Sequence, residues 1–228
     1  MFTEYELKAR LFPAFLAIFP IVLFSHFYLY QKIPQFIDSV ILTKIFSDIS
    51  ILAIFFYAVM QFSRFVSKKF LQDNFFQGEL HFPTTEYLLY SSDKYSVDRK
   101  EKIREKIKND FGISLFGKNE ETNNETEARK KINEAVALIR GKVKDGRLLL
   151  QHNIEYGFIR NSIGGLVIAV PFGLFDFFFF MTQKNTVAVI ISGIIFLIYF
   201  AVLIFGKTIL KYYAYNYADV LYNEYLLS

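Results

Sequence analysis

The chain has no cysteine and no tryptophan, three histidines and five prolines in 228 residues. Without cysteine there can be no disulfide, thiol nucleophile or zinc–thiolate site. The histidines, His26, His81 and His152, are too scattered to suggest a metal cluster. No G-x-x-x-x-G-K-[ST], H-E-x-x-H or G-x-S-x-G pattern occurs, so phosphate-loop, zincin and hydrolase-elbow chemistry all lack a sequence basis. We therefore read the chain as not an enzyme, and expect no catalytic residue, metal or cofactor. An intramembrane carboxylate enzyme built on Asp48 and Asp176 is the catalytic alternative left open. Gly/Ser-rich or Pro-rich linkers and internal repeats are also missing, which favours one integrated unit over separate domains.

What is present is apolar: 53% hydrophobic and 19% aromatic residues, with 28 Phe and 15 Tyr. A soluble domain rarely carries so much phenylalanine, so the bilayer is the first environment to consider. Crossing it takes roughly 20 apolar residues in a helix. Runs at 11–30, 162–182 and 186–205 qualify, and 45–62 does so with Asp48 near one end, where a charge is tolerable. The first run follows Lys8 and Arg10 as a secretory signal would. It is too long for one, and "YLYQKIPQF" offers no small-residue cleavage site, so it reads as a retained anchor.

Lys and Arg set the orientation of such spans. Residues 64–160 hold 19 Lys/Arg against 15 Asp/Glu, and the ends add Lys8, Arg10, Lys207 and Lys211. The two hairpins carry only Lys184, and Lys32 with Lys44. Both termini and the central region should face the cytoplasm. The expected fold is all-α: a four-helix transmembrane protein with a helical cytoplasmic insert between spans 2 and 3. Its parts are a transmembrane hairpin (1–63), the insert (64–160), and a second hairpin with a cytoplasmic helical tail (161–228).

Within the insert, "SVDRKEKIREKIKNDFG" (96–112) predicts a helix capped by Ser96, carrying Ile103, Ile107 and Phe111 on one face and stopped at Gly112. The polar stretch 116–128 reads as a mobile loop. A longer helix from about 124 should bury Ile132, Val136, Ile139 and Val143, with Glu127, Arg129, Lys130 and Lys131 outward. After a break near Gly146, helix should resume and run directly into span 3. The tyrosine-rich tail should extend span 4 and suits packing against the insert.

Three ionisable groups fall inside the predicted spans. Helical rise puts His26 and Asp176 at similar depth, roughly 20–23 Å from the cytoplasmic face, and Asp48 belongs to the same layer. Such groups face a protein interior or a watery path, and one Asp per subunit would give a homo-oligomer an acidic, cation-selecting ring. Snorkelling to the outer surface, or pairing of Asp176 with His26, is the plainer account.

Span 3 carries two further patterns. Gly165, Ala169 and Gly173 continue an every-fourth-residue stripe from Asn161, a smooth surface for close helix packing in the same subunit or another. Pro171 lies beside it, and Pro13 and Pro20 lie in span 1, where each permits a kink. Just upstream, Asn153, Tyr156, Arg160 and Asn161 share one helical face at the inner boundary with Gly157 and Gly164. We read that face as a gating or coupling network, although an Arg there follows from topology alone. Among the basic residues of the insert, Arg140, Lys144 and Arg147 are candidates for an anionic ligand. Proximity to the inner leaflet, worth about 1 kcal/mol per basic residue, accounts for them equally well.

The layout, with "YELKARLFPAFLAIFP" at the start and "NIEYGFIRNSIGG" before span 3, resembles the four-transmembrane effectors of bacterial anti-phage defence. These are the membrane-disrupting partners of nucleotidyltransferase systems such as CBASS and Hailong. The resemblance implies a homo-oligomeric channel in the bacterial inner membrane, answering a nucleotide or oligonucleotide signal or a regulatory protein partner and acting by depolarisation. It assigns no residue. The alternative expectation is a non-channel sensor or scaffold whose spans anchor the insert in the lipid bilayer.

Overall fold

The structure, a computed structural model, describes residues 3–29 and 41–228, with the backbone alone for 41–52. All regular structure among the described residues is helical.

Helix α1 (Glu4–Leu29) starts at Thr3, whose hydroxyl accepts the Glu6 N–H at 3.2 Å while the Glu6 carboxylate accepts the Thr3 N–H at 3.2 Å. This reciprocal cap starts the helix seven residues before the apolar run. The helix widens into π geometry at Leu7–Leu11 and again at Ser25–Leu29. Helix α2 (Ile41–Val66) passes into a π stretch, Ser67–Gln72, and the short α3 (Asp73–Phe76). Left-handed backbone at Gln77 (φ 44°) and Gly78 (φ 72°) ends it.

After the short α4 (Pro83–Glu86) comes α5 (Val97–Phe111), with Ser96 Oγ accepting the Arg99 N–H at 3.3 Å and Gly112 (φ 69°) as its left-handed stop, as the sequence predicts. The expected loop at 116–128 is instead α6 (Lys118–Asn123) running up to α7 (Glu125–Lys142). Two side chains account for the difference: Glu120 accepts the Gly117 N–H at 2.9 Å, and Asn124 Oδ1 accepts the Glu127 N–H at 3.3 Å. Each satisfies a backbone donor that a helix start would leave open. The predicted stripe of α7 is buried at Ile132, Val136 and Ile139, with Val143 just past its end. Arg129 does not face outward; it donates to the Leu80 carbonyl at 3.0 Å and pairs with Glu125.

Helix α8 (Arg147–Thr182) resumes directly after Gly146, and α9 (Thr186–Leu227) follows a tight turn at Lys184 (φ 53°). Helices α1, α8 and α9 are long and apolar enough to cross a membrane, which is compatible with a multi-pass membrane protein. Of their most apolar stretches, 28% is buried in α1, 44% in α8 and 11% in α9. Helix α8 is thus the interior helix of the three, and α9 leaves most of its apolar surface uncovered.

The chain groups into two compact units. The first combines Met1–Lys68 with Gly157–Gly206, and the second Lys69–Tyr156 with Lys207–Ser228. The tail therefore groups with the insert rather than with the preceding hairpin. In the first unit Ala14, Ala17 and Ile18 of α1 pack with Val59 and Met60 of α2, and Ile168 of α8 lies against them. In the second, Leu210, Ala214, Leu221, Tyr222 and Tyr225 of α9 are fully buried, as are Ile103, Ile107, Ile132 and Ile139. Phe111 stacks on Tyr225 there with 6.1 Å between centroids.

Candidate functional site

A proline in a helix cannot offer an N–H to the carbonyl four residues before it. Pro13 so deprives the Ala9 carbonyl, and Pro20 the Leu16 carbonyl. Each finds a donor on another helix of the first unit. Asn161 Nδ2 of α8 donates to the Ala9 oxygen at 2.6 Å, and the Tyr199 hydroxyl of α9 donates to the Leu16 oxygen at 2.8 Å. An open carbonyl in an apolar setting costs several kcal/mol, so these two side chains complete the backbone of α1.

Asn161 is 1% exposed and also accepts from Ser67 Oγ at 2.9 Å. That hydroxyl stands 2.9 Å from the Arg64 carbonyl as well, and its single proton can serve one acceptor at a time. Ala9 lies within the first π stretch and Ser67 opens the third. Asn161 therefore ties two helices at points where their regular hydrogen-bond ladders are interrupted, a kind of irregularity that recurs at functional sites.

The surrounding seam is made by missing side chains. A Cβ on Gly164 would stand 2.4 Å from the Ser63 carbonyl oxygen and 2.7 Å from Ser67 Cβ. On Gly165 it would meet Ala17 Cβ at 2.8 Å, and on Gly157 the Tyr5 hydroxyl at 2.9 Å. Ala169 is fully buried, and the Gly173 position faces Phe196 at 3.6 Å and Pro20 at 3.9 Å. The partners of the small-residue stripe are thus α1, α2 and α9 of the same chain.

Asp176, three residues beyond Gly173, is 0% exposed, and neither carboxylate oxygen has a hydrogen-bond partner among the described residues. The next turn of its face carries Phe180, buried against Phe24 and Phe27 at centroid distances of 6.1 and 6.0 Å. His26 is not paired with it. That imidazole is exposed and stands edge-on to Phe27 at 5.0 Å. Asp48 falls in the part of α2 described by backbone alone, so its side chain lies outside the described residues. Among the described residues no three His, Asp or Glu side chains gather as a metal ion would require.

The predicted coupling face divides between the units. Asn153 and Tyr156 belong to the second, where Tyr156 is buried edge-on to Phe82 at 5.4 Å; Arg160 and Asn161 belong to the first. The three candidate ligand residues differ in their surroundings among the described residues. Arg140 is held by Glu79 at 2.7 Å, while Lys144 and Arg147 are exposed.

Sequence reasoning missed the ionic core of the second unit. Arg104 donates to the Leu88 and Phe116 carbonyls and pairs with Glu121 at 3.2 Å, both side chains nearly fully buried. Glu121 in turn accepts the Tyr90 N–H at 2.7 Å. Asp219 accepts the hydroxyls of Tyr95 at 2.8 Å and Tyr87 at 3.3 Å. Burial, with the Asp219 carboxylate adding to it, pushes both phenols up, so they remain donors at every physiological pH. Ser67 had a signal, since Ser63 and Ser67 stand four apart on an otherwise apolar face. Arg104 and Glu121 had none, being two charges in charged runs.

No protein-family model matches the chain, and comparison with curated proteins and with solved structures gives no significant match for either.

Proposed function

We propose that the chain is the subunit of a homo-oligomeric, gated ion channel of the bacterial inner membrane. It crosses the bilayer four times with both termini and the central region in the cytoplasm, and it depolarises the cell when a cytoplasmic signal reaches the second unit. The observation that carries this reading is Asp176. A carboxylate enclosed among apolar groups without a partner is costly, and such residues in membrane segments mark ion paths. Opening that admits water or a cation to Asp176 removes this cost, so the arrangement reads as the closed state of a cation pathway.

The gate in this reading is α1 with its two prolines, held by Asn161 and Tyr199. Helices α8 and α9 each contribute residues to both units, which gives a signal bound by one unit a covalent route to the other. The likeness to anti-phage effectors supplies the physiological setting, with a nucleotide or oligonucleotide as the signal.

The test is expression of the full chain in bacteria with a potential-sensitive dye, and bilayer recordings of the purified protein. Collapse of the potential and a cation preference that falls several-fold in Asp176→Asn are expected. An unaltered potential with the protein inserted overturns the proposal. A non-channel sensor is the second reading, favoured by the second unit's own buried ionic core. Testing it needs a fragment joining 69–156 to 207–228, because the tail groups with that unit and buries Leu210, Tyr222 and Tyr225 there.

A further inference from the structure

The second unit holds an open pocket of about 230 Å³. The left-handed turn at Gln77 and Gly78 makes it: the chain folds back so that the His81 N–H reaches the Phe76 carbonyl at 2.9 Å, bringing His81 beside Asn74 and Gln77. Lys211 of α9 closes the opposite side, with Tyr215 one turn further along. Lys207 is not part of the lining, but its ammonium stands 5.3 Å from the centre of the ring of Phe75, which is. The side chains of Asn74, Gln77, His81 and Lys211 carry donors, and none of them is used within the protein among the described residues. The one carboxylate in the lining, Glu86, accepts the Tyr215 hydroxyl at 3.5 Å.

We propose that this pocket binds the phosphate of an anionic phospholipid at the inner leaflet. The depth argument comes from α9 alone. Residues 185–206 carry no charge, and Lys207 is the first charged residue after them. Helical rise then puts Lys207 about 1.5 Å and Lys211 about 7.5 Å beyond the end of the apolar stretch. The headgroup layer on each side of a bilayer is roughly 5–7 Å thick, so the two lysine positions on the helix bracket it. A lysine, a histidine and two amides against one carboxylate make a site for a phosphate oxygen cluster, with Lys207 on the Phe75 ring adding positive charge beside it, and cytoplasmic-side basic pockets recognise headgroups in this way. The inference rests on α9 crossing the bilayer with its C-terminal end in the cytoplasm, as proposed above, and not on conduction.

The experiment is lipid retention by the full-length purified protein, read by native mass spectrometry after exposure to equal phosphatidylglycerol and phosphatidylcholine. Several-fold preferential retention of phosphatidylglycerol is expected, falling about fivefold in Lys211→Glu and recovering in Lys211→Arg. Glu86→Gln, which removes the opposing charge, should raise it. Equal retention of both lipids, or a Lys211→Glu protein that stays helical and keeps the preference, overturns the site. Displacement of the lipid by millimolar inorganic phosphate would assign the pocket to a free anion and overturn the lipid assignment. Conduction without lipid preference would sink this inference and leave the channel standing; preference without conduction would do the reverse.

Discussion

In the first unit the helices approach most closely where side chains are absent, at Gly157, Gly164 and Gly165, and its interhelix hydrogen bonds go mainly to backbone carbonyls that proline has freed. In the second unit the buried junctions are ionic or phenolic: Arg104 with Glu121, and Tyr87 and Tyr95 on Asp219. The difference is the one expected if the first unit lies in lipid and the second in water, as proposed above. Lipid offers no hydrophobic drive between helices, so contact has to come from backbone proximity and from satisfying every polar group. In water, apolar burial assembles the core and buried polar groups are tolerated when fully paired.

The largest break in this comparison should come from the second unit. Glu121→Ala leaves Arg104 as a buried charge without its counter-ion and the Tyr90 N–H without an acceptor. A loss of about 3–5 kcal/mol is expected. Denaturant unfolding followed by circular dichroism, with hydrogen exchange to locate the loss in residues 69–156, checks it. A double Arg104→Met, Glu121→Leu variant should recover part of that loss, because it leaves no buried charge, while the Leu88 and Phe116 carbonyls and the Tyr90 N–H still lose their partners.

In the first unit the corresponding break is Gly164→Ala. One methyl group pressed to 2.4 Å from a backbone oxygen cannot be relieved by a rotamer change, so α8 must move away from α2. Overpacking of this kind costs about 1–3 kcal/mol. Asn161→Ala should cost about as much as one orphaned carbonyl, about 1–3 kcal/mol, and Tyr199→Phe should be no worse. In the proposed channel, both Asn161→Ala and Tyr199→Phe should also lower the threshold for opening, measured as open fraction. If they melt earlier with gating unchanged, the two side chains are structural completions of α1 and nothing more.

How much of this could be read beforehand divides along the same line. The apolar runs, Pro13, Pro20 and the stripe at Gly165, Ala169 and Gly173 are all plain in the sequence, because lipid-facing helices announce themselves by length and composition. Which side chain would complete the Ala9 carbonyl was not, since Asn161 lies 152 residues away and nothing local links them. In the second unit Ser96, Gly112 and the α7 stripe were legible as local signals. The helix Lys118–Asn123 was hidden because its polar residues look like loop; Glu121 is buried by a tertiary partner, which no periodicity records.

Acid should distinguish the units again, with a smaller effect. Asp110 accepts hydrogen bonds from Lys142 at 2.7 Å and Tyr225 at 2.9 Å, and these hold its carboxyl below the usual 3.8. A depressed folded-state value means that the stabilisation is present above the unfolded value and is lost as pH falls through the folded one. The melting temperature of Asp110→Asn should therefore sit below the parent by a constant margin at pH 6–8, and the two should converge below pH 3.8. A margin that persists at low pH would show that the pair acts through packing and not through charge.

The smallest effect separates close approach from mere adjacency along one stripe. Gly173 belongs to the same every-fourth-residue series as Gly165, yet a Cβ there would stand 3.6 Å from Phe196 Cβ and 3.9 Å from Pro20 Cγ, ordinary contact distances. Glycine inside a helix is about 1 kcal/mol less favourable than alanine, because it has more backbone freedom to lose. Gly173→Ala should therefore leave stability unchanged or raise it by up to about 1 kcal/mol, where Gly164→Ala lowers it. The two substitutions add the same methyl group to the same helix nine residues apart, so propensity cancels and only interhelix distance remains. Thermal unfolding of the two purified variants in one detergent decides it: equal losses would mean that the spacing at Gly173 is as tight as at Gly164, and that α8 is clamped along its whole apolar length rather than around Asn161.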